Sequence, residues 1–517
     1  MVSWSRKNSA RPIYKRKIVM TYVVVPKEIG IREIANRSYS FSPHALKGVF
    51  IPNKNTKKLG NIIGENYTKG KPIPRSAFTE SSTRFLITNS ALQNDFLLSR
   101  KRDSSFISLV PSFFGKPFLM QDSILLALNG NVGQSGYVDI DNAQNYTISP
   151  WMINFRLDKN QNYLLAFLKS KFFKDQVEFL TPKGAILSNA NKKLLDAEIA
   201  FPNGDNSKQT IKYVEILVQS IINKEREIRR KSTLIFGLID KEIAENQKDK
   251  KFHYSHPRVD DLTKFNRINA GFYSQYFKER EFQLLNYSRG TNNIRSLGFD
   301  ISRGQNLQVS CIGKSIYSED KVEGFYTLII PKNISVYGTP LKYEYLGSSK
   351  KLKTLRAGDI IFGAEGFEKG RSLVIFEDQD NTITNIHGIT LNHSKQNVAL
   401  SVFVKCFLDY LRQIGLIDLY AVGGNGGSLA QKYWDVIPFP NFPDTKQKEI
   451  VNLYYKLVPP KKITRVEDYF EYDRNWNKNA GIFQIDESLK KTKNHLEFVI
   501  NKIVSDKDVK IDFSFLG

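Results

Sequence analysis

Glu365, Glu368 and Lys369 follow closely on Asp359, and acidic side chains with a lysine nearby are the material of a metal-dependent nuclease, where carboxylates hold a divalent cation at the scissile phosphate. The glutamate, spacer, lysine order of such a site is not kept. Gly313-Lys314-Ser315 has the ending of a phosphate-binding loop, but Gln308 stands where the glycine five residues before Gly313 is required, so the backbone cradle is not encoded. No Asp-Pro-Pro-Tyr or Asn-Pro-Pro-Tyr tetrapeptide, Gly-x-Ser-x-Gly elbow or Cys and His nucleophile pair occurs. Cys311 and Cys406 are the only cysteines, and the histidines, His387 and His393 among them, fall at no ligand spacing. The sequence predicts no catalytic residue, no metal and no cofactor bound by this chain.

Charge points elsewhere. The formal net charge is +24 over 517 residues, and residues 1–75 alone carry 16 basic against 3 acidic residues. Such an excess favours a polyanion, because clustered Lys and Arg gain from counterion release at a phosphate backbone. Part of it, from Arg6-Lys7 to Lys15-Arg16-Lys17, reads as a basic extension over residues 1–30. No basic amphipathic anchor, spanning segment or secretory signal stands out, so a membrane role is not expected and the cytoplasm is.

The elements that would position any site come in two sets. Phe201-Pro202, five residues, Lys208-Gln209 returns 238 residues later as Phe439-Pro440, five residues, Lys446-Gln447. Asp122, ten residues, Gly133-Gln134-Ser135 returns 237 residues later as Asp359, ten residues, Gly370-Arg371-Ser372. One module used twice is a tandem duplication. In the first copy Phe106–Val110 and Ile124–Leu128 read as strands and Asn162–Phe173 as a helix; in the second Asp359–Phe362 and Ser372–Phe376 are strands and Ala399–Gln413 a helix. Both are α+β modules.

Two amphipathic helices accompany them. From Lys208 to about Asn246 there is no proline, and Val214, Ile221, Ile228 and Ile235 step by seven beside Ile211, Val218 and Ile239, interrupted at Glu225 and Ser232. Such a helix is on the order of 55 Å long. Ile485, Thr492 and Val499, with Leu489, Leu496 and Ile503, form a second heptad stripe near the other end. A period of 3.5 residues keeps a seam facing one partner helix, so the two are expected to pack antiparallel, with Ile221, Ile228, Ile235, Leu489, Leu496 and Ile503 on the seam. The expected divisions are residues 1–205, a first module; 206–262, the first long helix and a linker; 263–442, a second module; and 443–517, the second helical region, which Pro459-Pro460 and the tyrosine-, asparagine- and charge-rich stretch 459–481 interrupt.

This order of parts resembles the specificity subunit of type I restriction-modification enzymes, over most of the chain from roughly residue 30. The carriers are Gly358-Asp359-Ile360 with the loop through Gly370, the run Leu429 to Lys446-Gln447, and Arg267-Ile268-Asn269-Ala270-Gly271-Phe272-Tyr273, which looks like the opening of a recognition module. The first copy is more diverged, with Gln121 read where Gly358 stands. The resemblance implies two target recognition domains, each reading one half of a split sequence in double-stranded DNA, on a helix pair that sets the unread gap. It also implies two methyltransferase subunits that carry S-adenosylmethionine and methylate adenine, and separate restriction or translocase subunits, in a host-defence system. A fused methyltransferase-nuclease partner is a variant of the same plan. A self-contained metal-dependent nuclease and a sequence-tolerant nucleic-acid scaffold are the other readings.

Base reading calls for side chains that reach the major groove, where Arg and Lys address guanine and Asn and Gln address adenine. The loop Asn129–Ser135 is the first candidate, especially Asn131 and Gln134, with Arg371 in the equivalent loop. Lys183, Lys314 and Arg303 are candidate phosphate contacts.

Overall fold

The computed structural model describes residues 23–24, 28–36, 48–99, 103–112, 119–180, 191–366, 369–378, 381–422, 427–459, 463 and 465–516. Lys183, Glu368, Pro460, Gly423 to Gly426 and most of the basic first thirty residues lie outside them. The chain forms two compact units, one running through Gln219 and completed by Asn494–Ile511, the other Ser220–Lys493 with Asp512–Gly517.

In the first unit, strands β1 (Thr56–Lys58), β2 (Tyr67–Lys69), β3 (Arg84–Ile87), β4 (Phe106–Leu109), β5 (Ile124–Ala127), β6 (Ser135–Tyr137), β7 (Tyr146–Ile148) and β8 (Met152–Phe155) precede helices α1 (Gln161–Lys169) and α2 (Lys171–Leu180) and strand β9 (Glu198–Ala200). The central sheet has the order β2-β8-β5-β6, all antiparallel. Every residue of β5 and β8 is buried, which is why Ile-Leu-Leu-Ala and Met-Ile-Asn-Phe read as unbroken rather than alternating strands. A second sheet, β4-β3-β7, lies in the same unit, and its β3 and β7 are parallel. The expected helix at 162–173 is two helices. Ser170 leaves helical geometry, and its Oγ accepts from the Phe173 N–H at 3.2 Å, capping α2.

The second unit carries β10 (Thr291–Asn292), β11 (Phe299–Arg303), β12 (Ser315–Ser318), β13 (Tyr326–Leu328), β14 (Glu344–Ser348), β15 (Ile360–Gly363), β16 (Ser372–Val374), β17 (Gly388–His393) and β18 (Phe439–Pro440). Its central sheet has the order β11-β17-β15-β16, the order of the first unit's sheet strand for strand. The closing pairs match as well, β9 with β1 and β18 with β10.

The register can be fixed bond by bond. Asp122 donates its N–H to Val138, and Gly358 donates to Ile375; both residues have positive φ, 52° and 88°. Asp122, not Gln121, therefore occupies the position of Gly358, which corrects the sequence alignment by one residue. Asp is among the few non-glycine residues that adopt left-handed positions, so the turn survives without the glycine that an alignment would seek. The Gly133 N–H donates to Ala127 and the Gly370 N–H to Gly363. The second loop is one residue longer, which is where the two halves shift register.

Helix α3 (Ser207–Glu245) is continuous over 39 residues. Within the first unit its Tyr213 hydroxyl meets His495 Nε2 at 2.7 Å, on the long helix Ile482–Val504. Within the second unit Glu225 pairs with Lys493 at 2.7 Å. The seam residues Ile221, Ile228, Ile235, Leu489, Leu496 and Ile503 are all buried; Ile211 is half-buried. The stretch 459–481, expected to interrupt the helical region, contains a helix of its own, Val466–Asn479. Its buried side is Tyr469, Asp473 and Asn477, a polar stripe stepping by four that apolar periodicity cannot reveal. Asp473 forms an ion pair with Lys224, itself fully buried, and accepts from Ser220 at 2.9 Å. Among the described residues no helix is long and apolar enough to cross a membrane.

Candidate nucleic-acid interface

At one end of each central sheet, three chain segments meet, counted along the chain: the end of the first strand, the loop after the second, and the turn leading into the last. In the second unit these bring Arg303, Glu365 and His387 together. Arg303 is the last residue of β11 and pairs with Ile389. Gly304 follows it, at a place where a Cβ would overlap the Asn385 carbonyl oxygen. Only glycine lets the strand end settle on that turn. The Arg303 Nη1 donates to Glu365 Oε1 at 2.8 Å and to the Ile386 carbonyl at 3.1 Å. His387 Nδ1 lies 2.9 Å from Glu365 Oε2. That hydrogen bond, with Arg303 behind it, holds the Glu365 carboxyl below its ordinary range against a smaller opposing effect of burial.

The first unit puts different side chains in the same places. Leu128 donates its N–H to Trp151 as Ala364 does to His387, so Asn129 corresponds to Glu365 and Trp151 to His387. Lys69 pairs with Ile153 as Arg303 does with Ile389. A Cβ on Gly70 would overlap the Ser149 carbonyl oxygen, the counterpart of the Gly304 approach. Trp151 is half exposed at 52%, and the buried Asn129 Oδ1 finds no donor among the described residues. The frame is shared; the trio it presents is Lys, Asn and Trp in one unit and Arg, Glu and His in the other.

The sequence candidates divide accordingly. Asn131 is exposed in the predicted loop, its Nδ2 donating weakly to the Asn89 carbonyl at 3.4 Å. Gln134 is half-buried, its backbone closing the turn by donating to Asn131 at 3.0 Å. Arg371 is half-buried immediately before β16. Its Nη1 donates to the Ile334 carbonyl at 3.0 Å, so it braces the module. Lys314 is exposed between a short helix, Val309–Ile312, and β12. A phosphate-binding loop would have a helix after the lysine, and here a strand follows, in keeping with the false match. Trp151 carries no sequence motif, and His387 falls at no ligand spacing. The signal was the register itself, which pairs them once the one-residue shift is known.

Asp359 and Glu365 lie beyond opposite ends of the core of β15, and Asp359 is buried, accepting from the Arg356 N–H at 2.8 Å. Among the described residues no three His, Cys, Asp or Glu side chains gather as a metal site. Arg267, in the segment expected to open a module, is buried and donates to the carbonyls of Leu419, Tyr420 and Ala421 at 2.9, 2.8 and 2.9 Å. It neutralises the end of the helix Leu416–Tyr420 and stacks on Phe272 at 4.2 Å. That motif is structural.

The chain is thus a mixed α and β protein with one sheet topology built twice. No family model matches it, and no curated protein matches its sequence. Among solved structures it is similar to a type I restriction-modification system S subunit from M. genitalium, at 14% identity and a TM-score of 0.40, over 88% of this chain and 96% of that one. It is also similar to the HsdS subunit from Thermoanaerobacter tengcongensis, at 12% identity and a TM-score of 0.26, over 88% and 98%. A structure concerned with complex assembly and conformational transition of the type I restriction-modification system matches at 13% identity and a TM-score of 0.27, over the same shares.

Proposed function

We propose that this chain is a non-catalytic, sequence-specific DNA-binding subunit that recognises a bipartite target and directs partner adenine methyltransferase and restriction subunits to it. The observation that carries this reading is the double use of one four-stranded frame with different side chains at the same end. Two readers of one architecture and different chemistry are what a split, asymmetric target requires. The excess of basic residues supplies the sequence-independent attraction to a duplex. The long continuous helix, with its seam residues buried in both units, suits a role in fixing the unread gap, since bipartite readers convert spacing into geometry. S-adenosylmethionine and the chemistry of methyl transfer belong, on this reading, to two partner subunits.

Co-expression with candidate methyltransferase subunits, followed by single-molecule mapping of modified adenines, tests the proposal. A split motif is expected, and exchanging residues 30–205 for those of another such chain should change one half of it and leave the other. Methylation indifferent to the exchange would reject the reading. Divalent-metal-dependent cleavage by the purified chain would replace it with a nuclease.

A further inference from the structure

We infer that Arg303 reads a guanine in the half-site of the second unit, with Glu365 as its positioning residue. The inference rests on the DNA-specificity reading and goes beyond it by naming the base and the side chain. A guanidinium has five donors, and the two on Nη1 face Glu365 and the Ile386 carbonyl. Among the described residues Nε and Nη2 donate to nothing. These two lie side by side on one edge of the planar group. They form the parallel fork that matches the O6 and N7 acceptors of guanine in the major groove.

Position and rigidity support the assignment. The Arg303 side chain is 37% exposed, yet it is held at one end by a carboxylate that His387 holds in turn. A lone surface ion pair contributes little to stability, so a three-membered cluster at a strand end is better explained by orientation than by strength. Beside it opens a cleft of about 490 Å³, lined by Asn306, Gln308, Tyr317, Asn385 and Ile386 among others. Its amides can bond base edges, and Tyr317 and Ile386 offer apolar contact to a base. The Asn385 Oδ1 is buried without a partner among the described residues. A pure phosphate site would not place Glu365 against the backbone charge; a carboxylate whose task is to aim an arginine tolerates that cost.

Randomised duplexes bound by the purified full chain, then sequenced, would test this. The unaltered chain is expected to enrich a split motif with guanine fixed at one position of the second half. Arg303→Ala should relax that position by roughly 5- to 150-fold and leave the first half unchanged. Arg303→Lys keeps the charge and loses the fork, so it should relax the same position while preserving the salt dependence of binding. Glu365→Gln should relax it by less. If Arg303→Ala weakens every sequence equally and lowers the salt slope by about one, Arg303 is a phosphate contact and the inference fails. An unchanged motif also overturns it. A split motif absent from the unaltered chain would instead bring down the proposed function itself, and melting curves of each variant separate lost folding from lost reading.

Discussion

The central sheets of the two units and the three-stranded sheets beside them were not copied with equal fidelity. The central sheets share strand order, antiparallel sense and the glycine at the end of the first strand. The smaller sheets share neither order nor sense. In the first unit β3 lies between β4 and β7 and pairs with β7 in parallel; in the second β14 lies between β12 and β13 and all pairing is antiparallel. Frames whose residues are buried on both faces tolerate little change. The appended sheets pack on cores of their own and differ in order and sense, so the duplication is strict in the frame and loose beside it.

Four experiments would break or sharpen this contrast. The largest effect is expected in the buried helical junction: Lys224→Met strands the Asp473 carboxylate and should cost about 3–5 kcal/mol in urea denaturation. Lys224→Met combined with Asp473→Leu should recover most of it. Next come the paired glycines. Gly70→Ala and Gly304→Ala each force a Cβ onto a carbonyl oxygen and should each cost about 3 kcal/mol. Comparable losses in the two units would confirm an equivalent frame, and a loss in only one would break the equivalence. A third effect concerns pH. Because the Glu365 carboxyl is held below its ordinary value, its contribution is full above that value and is lost as pH falls through the lower folded one. A carboxyl titration followed by NMR should show this, with the midpoint rising in His387→Ala. Smallest, Ile316→Ser on the exposed face of β12, where Ile316 is 61% exposed, should change stability by no more than about 0.5 kcal/mol. A larger loss would mean that this face is not a free surface.

Apolar pattern made the frame legible. Ile124–Leu128, Asp359–Phe362 and the heptads of α3 all point to elements that form, and the duplication was visible in two spaced strings. The misses share a cause. Val466–Asn479 buries Tyr469, Asp473 and Asn477, so its inner side looks solvent-bound until Lys224 is seen opposite. Glu225, read as a break in the stripe, is buried against Lys493. The alignment slipped at Asp122 because backbone conformation, not residue identity, was copied. The site was harder still. Arg303, Glu365 and His387 come from three separate segments, and nothing in their spacing announces a cluster. Arg371 comes from the loop that the spacing singles out, and its Nη1 donates to the Ile334 carbonyl.

One consequence follows from the membership of residues 494–511 in the first unit. Asn203 donates to Asp506 at 2.8 Å, and the Asn53 N–H donates to Val504 at 3.1 Å, so that unit lacks part of its own body until the ribosome has delivered the far end of the chain. Its nascent form waits, incomplete, while the whole second unit is translated. Such delayed closure raises contact order and lengthens the exposure of sticky intermediates. Expression of the first unit alone as a truncated fragment should therefore give aggregation, and supplying 494–511 through a short engineered linker should cure it.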